Sequence, residues 1–169
     1  MTVFSPYYQD DSVTIYHGDA LEIAPFLSGV DAVISDPPYG IGYRHGARKG
    51  GMKMGTDCQA IAGDDRPFDP GPWLLYPVVI LWGGNHFASR LPDSACWLVW
   101  DKRDGVASND QADCELAWSN MKGVARLKTR YWNGAHAKER GEKRVHSNQK
   151  PISLMKWCIG LAGKPGMIL

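Results

Sequence analysis

The run Val30-Asp31-Ala32-Val33-Ile34-Ser35 passes directly into Asp36-Pro37-Pro38-Tyr39, and this junction constrains the fold more than any other stretch. Small and β-branched apolar residues in a short run read as a buried strand, and two prolines without N–H donors must end it. At average residue usage, that tetrapeptide arises by chance in roughly one chain of this length per thousand. A carboxylate and an aromatic ring are thereby fixed at the carboxyl end of a strand, where open α/β sheets place their ligands.

The pattern on either side suits such a sheet. Residues 12–17 read as a strand ending in Gly18-Asp19, and residues 20–27 have helical spacing, cut short or bent by Pro25. With residues 30–35 they form an expected βαβ unit and hence a parallel strand pair. Residues 40–67 read as a long mobile loop, with seven glycines between Gly40 and Gly63. Further strands are expected at 78–82, 96–100 and 114–118, with a short helix through 86–90. A helix over 152–159 has Gly160 and Gly163 as stop signals, and a strand is just beginning at 166–169. There is no internal repeat or second domain, and 169 residues fit one domain.

Composition excludes some classes. No apolar run approaches the ~20 residues of a membrane span, and the amino terminus carries no signal-peptide pattern. Cys58, Cys96, Cys114 and Cys158 lack Cys-x-x-Cys spacing, so they read as reduced thiols of a cytoplasmic protein, with no metal site. The net charge of +1 hides an asymmetry: residues 120–150 carry nine Lys/Arg and two Glu, giving +7 there and −6 elsewhere. Charge alone leaves two readings, a polyanion-docking surface or a solvated basic loop.

An Asp-Pro-Pro-Tyr at a strand end is the signature of amino-methyltransferases acting on DNA bases, and the chain resembles the adenine-N6/cytosine-N4 DNA methyltransferase family in its compact phage and bacterial form. The likeness extends through Gly18-Asp19, Trp82-Gly83-Gly84-Asn85-His86-Phe87, Trp97-Leu98-Val99-Trp100-Asp101-Lys102, Asp113-Cys114-Glu115-Leu116-Ala117-Trp118 and His146-Ser147-Asn148-Gln149-Lys150-Pro151. It implies an α/β fold with a Rossmann-like, mostly parallel sheet of the S-adenosylmethionine-dependent methyltransferase type. It also implies a base-flipping enzyme that moves a methyl group from S-adenosylmethionine to an amine of double-stranded DNA. Adenine N6 is favoured over cytosine N4 because the motif begins with Asp, where cytosine enzymes more often have Ser.

The residue types fit that chemistry. An exocyclic amine is a poor nucleophile because its lone pair is delocalised into the ring. Asp36 and the carbonyl of Pro37 can accept its two N–H bonds, favouring a tetrahedral nitrogen whose lone pair is free to attack. The carboxylate also stabilises the positive charge growing on that nitrogen. Pro38 stiffens the turn, and Tyr39 offers a face for the extruded base. The resemblance makes Asp36, Pro37, Pro38 and Tyr39 catalytic. It places Asp19, Asp36, His146, Asn148, Gln149 and Lys150 at the cofactor, although Ser147 and Asn148 depart from the usual His-Pro-Thr-Gln-Lys-Pro. It makes residues 120–145 the target-recognition segment, with Arg126, Lys128, Arg130, Lys138, Arg140, Lys143 and Arg144 on DNA phosphates.

The family's glycine-rich Asp-Pro-Phe-x-Gly-(Ser/Thr)-Gly turn, which should follow a strand like 166–169, is not in the sequence. The sheet is therefore expected to be incomplete at its carboxyl terminus. Two readings follow: a DNA methyltransferase truncated before that turn, or a catalytically silent DNA-binding remnant or half, completed by a complementary chain or a homodimer.

Overall fold

In a computed structural model that describes residues 4–42, 61–106, 112–132, 149–163 and 165–169, the first departure from these expectations comes from Asp10. Its carboxylate accepts hydrogen bonds from the N–H groups of Ser12 and Val13 at 2.7 and 2.8 Å. The resulting turn pairs β1 (Tyr8–Gln9) antiparallel with β2 (Thr14–Ile15). The expected βαβ unit does not form, because the acidic turn supplies β2 with a local partner and both its residues stay exposed. The helical stretch that follows is short, as Pro25 demands: α1 (Ala20–Ile23) passes into a 3-10 turn at Ala24–Phe26.

The main sheet contains β3 (Ala32–Ser35), β4 (Val78–Trp82), β5 (Trp97–Asp101), β6 (Cys114–Ser119) and β7 (Arg126–Thr129), in the spatial order β3-β4-β6-β5-β7. β3 pairs parallel with β4, and β5 pairs parallel with β7. β6 lies antiparallel between β4 and β5. The architecture is thus α/β with a mixed sheet, where a mostly parallel one was expected. No described helix joins β5 to β6, and a chain that returns without a crossover runs antiparallel to the strand it left. Met167–Leu169 adds on the far side of β3, through a parallel bridge between Ala32 and Ile168.

Alternation along the strands builds two cores. β4 is covered on both sides, with Val79, Ile80, Leu81 and Trp82 fully buried, which is why its sequence is an unbroken apolar run. Ile80 and Trp82 join Leu98, Trp100 and Ala117 beneath α2 (Ile152–Leu161), whose Leu154 and Cys158, one turn apart, face the sheet. Val79, Leu81, Phe87 and Trp118 form the opposite layer, with Tyr39, Phe68 and Trp73 packed on it. Each fully buried side chain of this size contributes roughly 1.5–3 kcal/mol. α2 runs through Gly160 and ends beside Gly163, whose φ is +81°.

β6's reversed direction sets the position of the site. Register pairs Trp100 with Glu115 and Asp101 with Cys114, so β6 begins at the edge where β3, β4 and β5 end. The N–H of Gly83, just past β4, donates to the carbonyl of Leu116 at 2.8 Å and ties these ends together.

Candidate functional site

Five short segments converge at this edge: 36–39 after β3, Gly83 after β4, Lys102 after β5, Glu115 at the start of β6, and Lys150 ahead of α2. Asp36 is held by both of its oxygens. The Tyr39 hydroxyl donates to Oδ1 at 2.6 Å, and Lys150 Nζ lies 2.8 Å from Oδ2. Lys150 also contacts Glu115 Oε2 at 2.9 Å and the Tyr39 hydroxyl at 3.4 Å, while Lys102 Nζ meets Glu115 Oε1 at 3.0 Å. Two carboxylates and two ammonium groups therefore alternate in a neutral chain, Asp36–Lys150–Glu115–Lys102.

Burial makes the arrangement consequential. The Lys150 side chain is only 9% exposed, a position an ammonium tolerates only when paired. Beyond its two carboxylates it has the face of Trp82 at 5.5 Å. Lys102 lies 5.9 Å from the Trp100 ring in the same way. Burial alone would push the Glu115 carboxyl up, but Lys150 and Lys102 outweigh it and hold it below its ordinary value. Tyr39 is raised well above the usual phenol range, by burial first and then by the charge and hydrogen bond of Asp36. It therefore stays a neutral donor to Asp36.

Tyr39 is seated by backbone space. Gly83 has φ +73°, and a Cβ there would fall 2.0 Å from Tyr39 Cε1, so the ring lies against a residue that has to be glycine. The ring also stacks on His86 at a 4.8 Å centroid separation and 12° between planes. His86 and Asn85 are both exposed in a 3-10 turn at Gly84–His86, and with a second 3-10 turn at Ala88–Arg90 it takes the place of the short helix expected over 86–90. Pro37 is buried and Pro38 half-buried.

The chain after the motif is pinned by a buried acid. Asp64 is 3% exposed, and its Oδ1 accepts from the N–H groups of Gly40 and Ile41 at 2.8 and 3.3 Å. Its carbonyl accepts from Gly42 at 2.9 Å. Of the expected 40–67 loop, residues 43–60 lie outside the described residues.

The remaining sequence candidates distribute as follows. Asp19 is exposed and caps α1, accepting from the N–H of Leu21 at 2.8 Å. Gln149 is half-buried beside Lys150. His146, Asn148, Lys138, Arg140, Lys143 and Arg144 lie outside the described residues. Arg126 and Lys128 sit opposite Leu98 and Trp100, so with Arg130 they line the α2 side of the sheet's outer edge. Trp132 is buried in that same core, and Trp100 Nε1 donates to the Arg130 carbonyl at 3.0 Å. Among the described residues no helix is long and apolar enough to cross a membrane, and no three His, Cys, Asp or Glu gather as metal ligands.

Comparison with protein-family models, with curated proteins and with solved structures finds no match to the chain. The functional reading therefore rests on the residues themselves. Sequence reasoning singled out Asp36, Tyr39 and Lys150 but missed Glu115 and Lys102, which complete the charge chain. The available signal was a lone acid in Cys114-Glu115-Leu116-Ala117-Trp118, on the strand face that also carries buried Ala117.

Proposed function

We propose that this protein acts in methyl transfer from S-adenosylmethionine to the N6 amine of an adenine extruded from double-stranded DNA. The observation that carries the reading is the Asp36 carboxylate: 30% exposed at a strand's carboxyl end, and oriented through both oxygens by Tyr39 and Lys150. A carboxylate has about four acceptor positions, so two remain for an incoming amine. The exposed carboxylate of Asp36 suits the positive charge of S-adenosylmethionine, which when bound would supply an electrophilic methyl group, whereas Asp19 caps α1 and no described contact joins it to Asp36.

Asp36 accepts one N–H of the amine and draws it out of the ring plane, and the Pro37 carbonyl accepts the other. The nitrogen lone pair is then localised, and as positive charge grows on nitrogen the fixed carboxylate stabilises it without reorganising. Tyr39 has one side against Gly83, so an extruded base reaches its ring by taking the place of the exposed His86. Arg126 and Lys128 on β7, with Arg130 just past its end, supply positive charge for phosphates at the last strand of the described sheet.

The test is labelled methyl transfer to duplex DNA, followed by digestion to nucleosides. The expected product is N6-methyladenine, and Asp36→Ala should lower transfer by about 10²- to 10³-fold or more while DNA affinity changes little. A wild-type chain that transfers no methyl, or an Asp36→Ala variant that transfers it equally well, removes the proposal.

A further inference from the structure

We infer that Glu115 is a positioning residue for the reacting carboxylate: it holds Lys150 between itself and Asp36 and balances the charge that Lys150 would otherwise turn against the substrate amine. This inference rests on the methyl-transfer reading above and names a residue that nothing in the tetrapeptide identifies.

The argument starts from a conflict. Lys150 Nζ stands 2.8 Å from Asp36 Oδ2, which fixes the carboxylate but also places a full positive charge beside it. Methyl transfer develops positive charge on the amine that Asp36 contacts, so an isolated Asp36–Lys150 pair would have its stabilising field largely cancelled. Glu115 changes the balance. Its Oε2 lies 2.9 Å from the same ammonium on the other side, so Lys150 is shared between two negative groups. Asp36, at the negative end of this neutral chain, then presents a less cancelled charge to the substrate while keeping its orientation. Lys102, 3.0 Å from Glu115 Oε1, fixes the second oxygen of Glu115 and stops it rotating away.

The fold makes this clamp stiff. Glu115 sits on β6 opposite Trp100, and β6 is bonded on both edges, to β4 and to β5. Lys150 precedes α2, whose Leu154 and Cys158 are fully buried against the sheet. The ammonium also rests over Trp82, itself fully buried. Both members of the clamp are thus anchored by core residues, whereas Asp36 follows a strand that ends one residue earlier and precedes two prolines. Orientation flows from β6 through Lys150 to Asp36.

Two measurements separate this inference from the reading it rests on. The first needs no activity. An ammonium held by three acceptors exchanges its protons slowly, so the wild-type protein should show a resolved lysine Nζ–H correlation in nitrogen-15 NMR, assigned by its loss in Lys150→Met. In Glu115→Gln that correlation should shift or broaden away. An unchanged Lys150 signal in Glu115→Gln, or no Lys150 signal in the wild type, overturns the clamp whatever the protein catalyses.

The second is steady-state methyl transfer. Glu115→Gln should lower kcat by roughly 10- to 100-fold, the cost typical of small misplacement, with KM for DNA altered less than twofold. Glu115→Asp should restore part of kcat, and Lys150→Arg should retain more transfer than Lys150→Met. Unchanged kcat in Glu115→Gln, in a protein whose wild type does transfer methyl groups, overturns the inference and leaves the methyl-transfer reading standing. A wild type without transfer removes that reading, and the NMR result then decides the clamp alone.

Discussion

Gly83→Ala should be costly in a way that identifies its own cause. A Cβ at this position would lie 2.0 Å from Tyr39 Cε1, 2.4 Å from Cδ1 and 2.5 Å from Cζ, all far inside van der Waals contact. Two penalties therefore combine. Placing Ala at φ +73° costs about 1–2 kcal/mol from the backbone alone. The Tyr39 ring must also leave, forfeiting its stack on His86, worth about 0.5–1.5 kcal/mol, and its bond to the Asp36 carboxylate, worth about 1.5–3 kcal/mol. Because His86 and Asp36 are solvent-accessible, the lower ends apply, and displacement of the ring costs about 2 kcal/mol. The whole substitution should cost about 3–4 kcal/mol, a large share of the total stability of a domain.

Urea unfolding of a double-mutant cycle measures the two parts separately. In a Tyr39→Ala background there is no ring to displace, so Gly83→Ala should cost only the backbone share. The coupling between the two substitutions should be about 2 kcal/mol, well outside the few tenths expected of independent sites. If Gly83→Ala costs the same in both backgrounds, to within about 0.5 kcal/mol, the ring does not rest on Gly83 and the account of how the motif is seated fails.

Three other outcomes are expected. Asn120 Oδ1 accepts from the N–H of Val79 at 2.7 Å, and its amide donates to the carbonyls of Tyr76 and Pro77 at 3.3 Å, so Asn120→Ala should destabilise by about 1–3 kcal/mol in urea unfolding. Neutralising Arg126, Lys128 and Arg130 together to Gln should lower the slope of log affinity for DNA against log salt by up to about 2.7 in a filter-binding series, and an unchanged slope would take β7 out of the interface. Glu115 is held below its ordinary value of 4.5, so the stability it adds is present above that value and lost as pH falls through its folded pKa. The stability difference between wild type and Glu115→Gln should therefore be full at pH 7 and shrink in unfolding experiments as pH falls below 4.5.

How far the sequence could be read depended on what each segment packs against. β3, β4, β5 and β6 were legible because long-range burial imposes unbroken or alternating apolar patterns on them, as in Val79-Ile80-Leu81-Trp82. β2 was recognised as a strand but assigned the wrong partner: the apolar pattern says that Thr14 and Ile15 are extended, while the turn chemistry of Asp10 decides what they pair with. β7 was hidden because Arg126-Leu127-Lys128-Thr129 carries the charges of a protected sheet edge and reads as a basic segment. The reversal of β6 depended on a connection whose course no local pattern encodes. At the site, Asp36 and Tyr39 stood out because a tetrapeptide confines them. Glu115 did not, since its role arises only when β6 inserts between β4 and β5 and brings it under Lys150.

The Asp64 latch has a consequence for how a chain of this kind can vary. Gly42 and Asp64 are joined by one hydrogen bond, and Gly40 and Ile41 by two more, so the segment leaves and re-enters the body of the protein at nearly the same point. The exit of the motif is therefore fastened by a group 24 residues further along the chain, and a substitution at Asp64 reaches Tyr39 through a single intervening residue, Gly40. Asp64 acts as a remote clasp: selection for an intact strand end extends to an acid that no reading of the tetrapeptide alone would include.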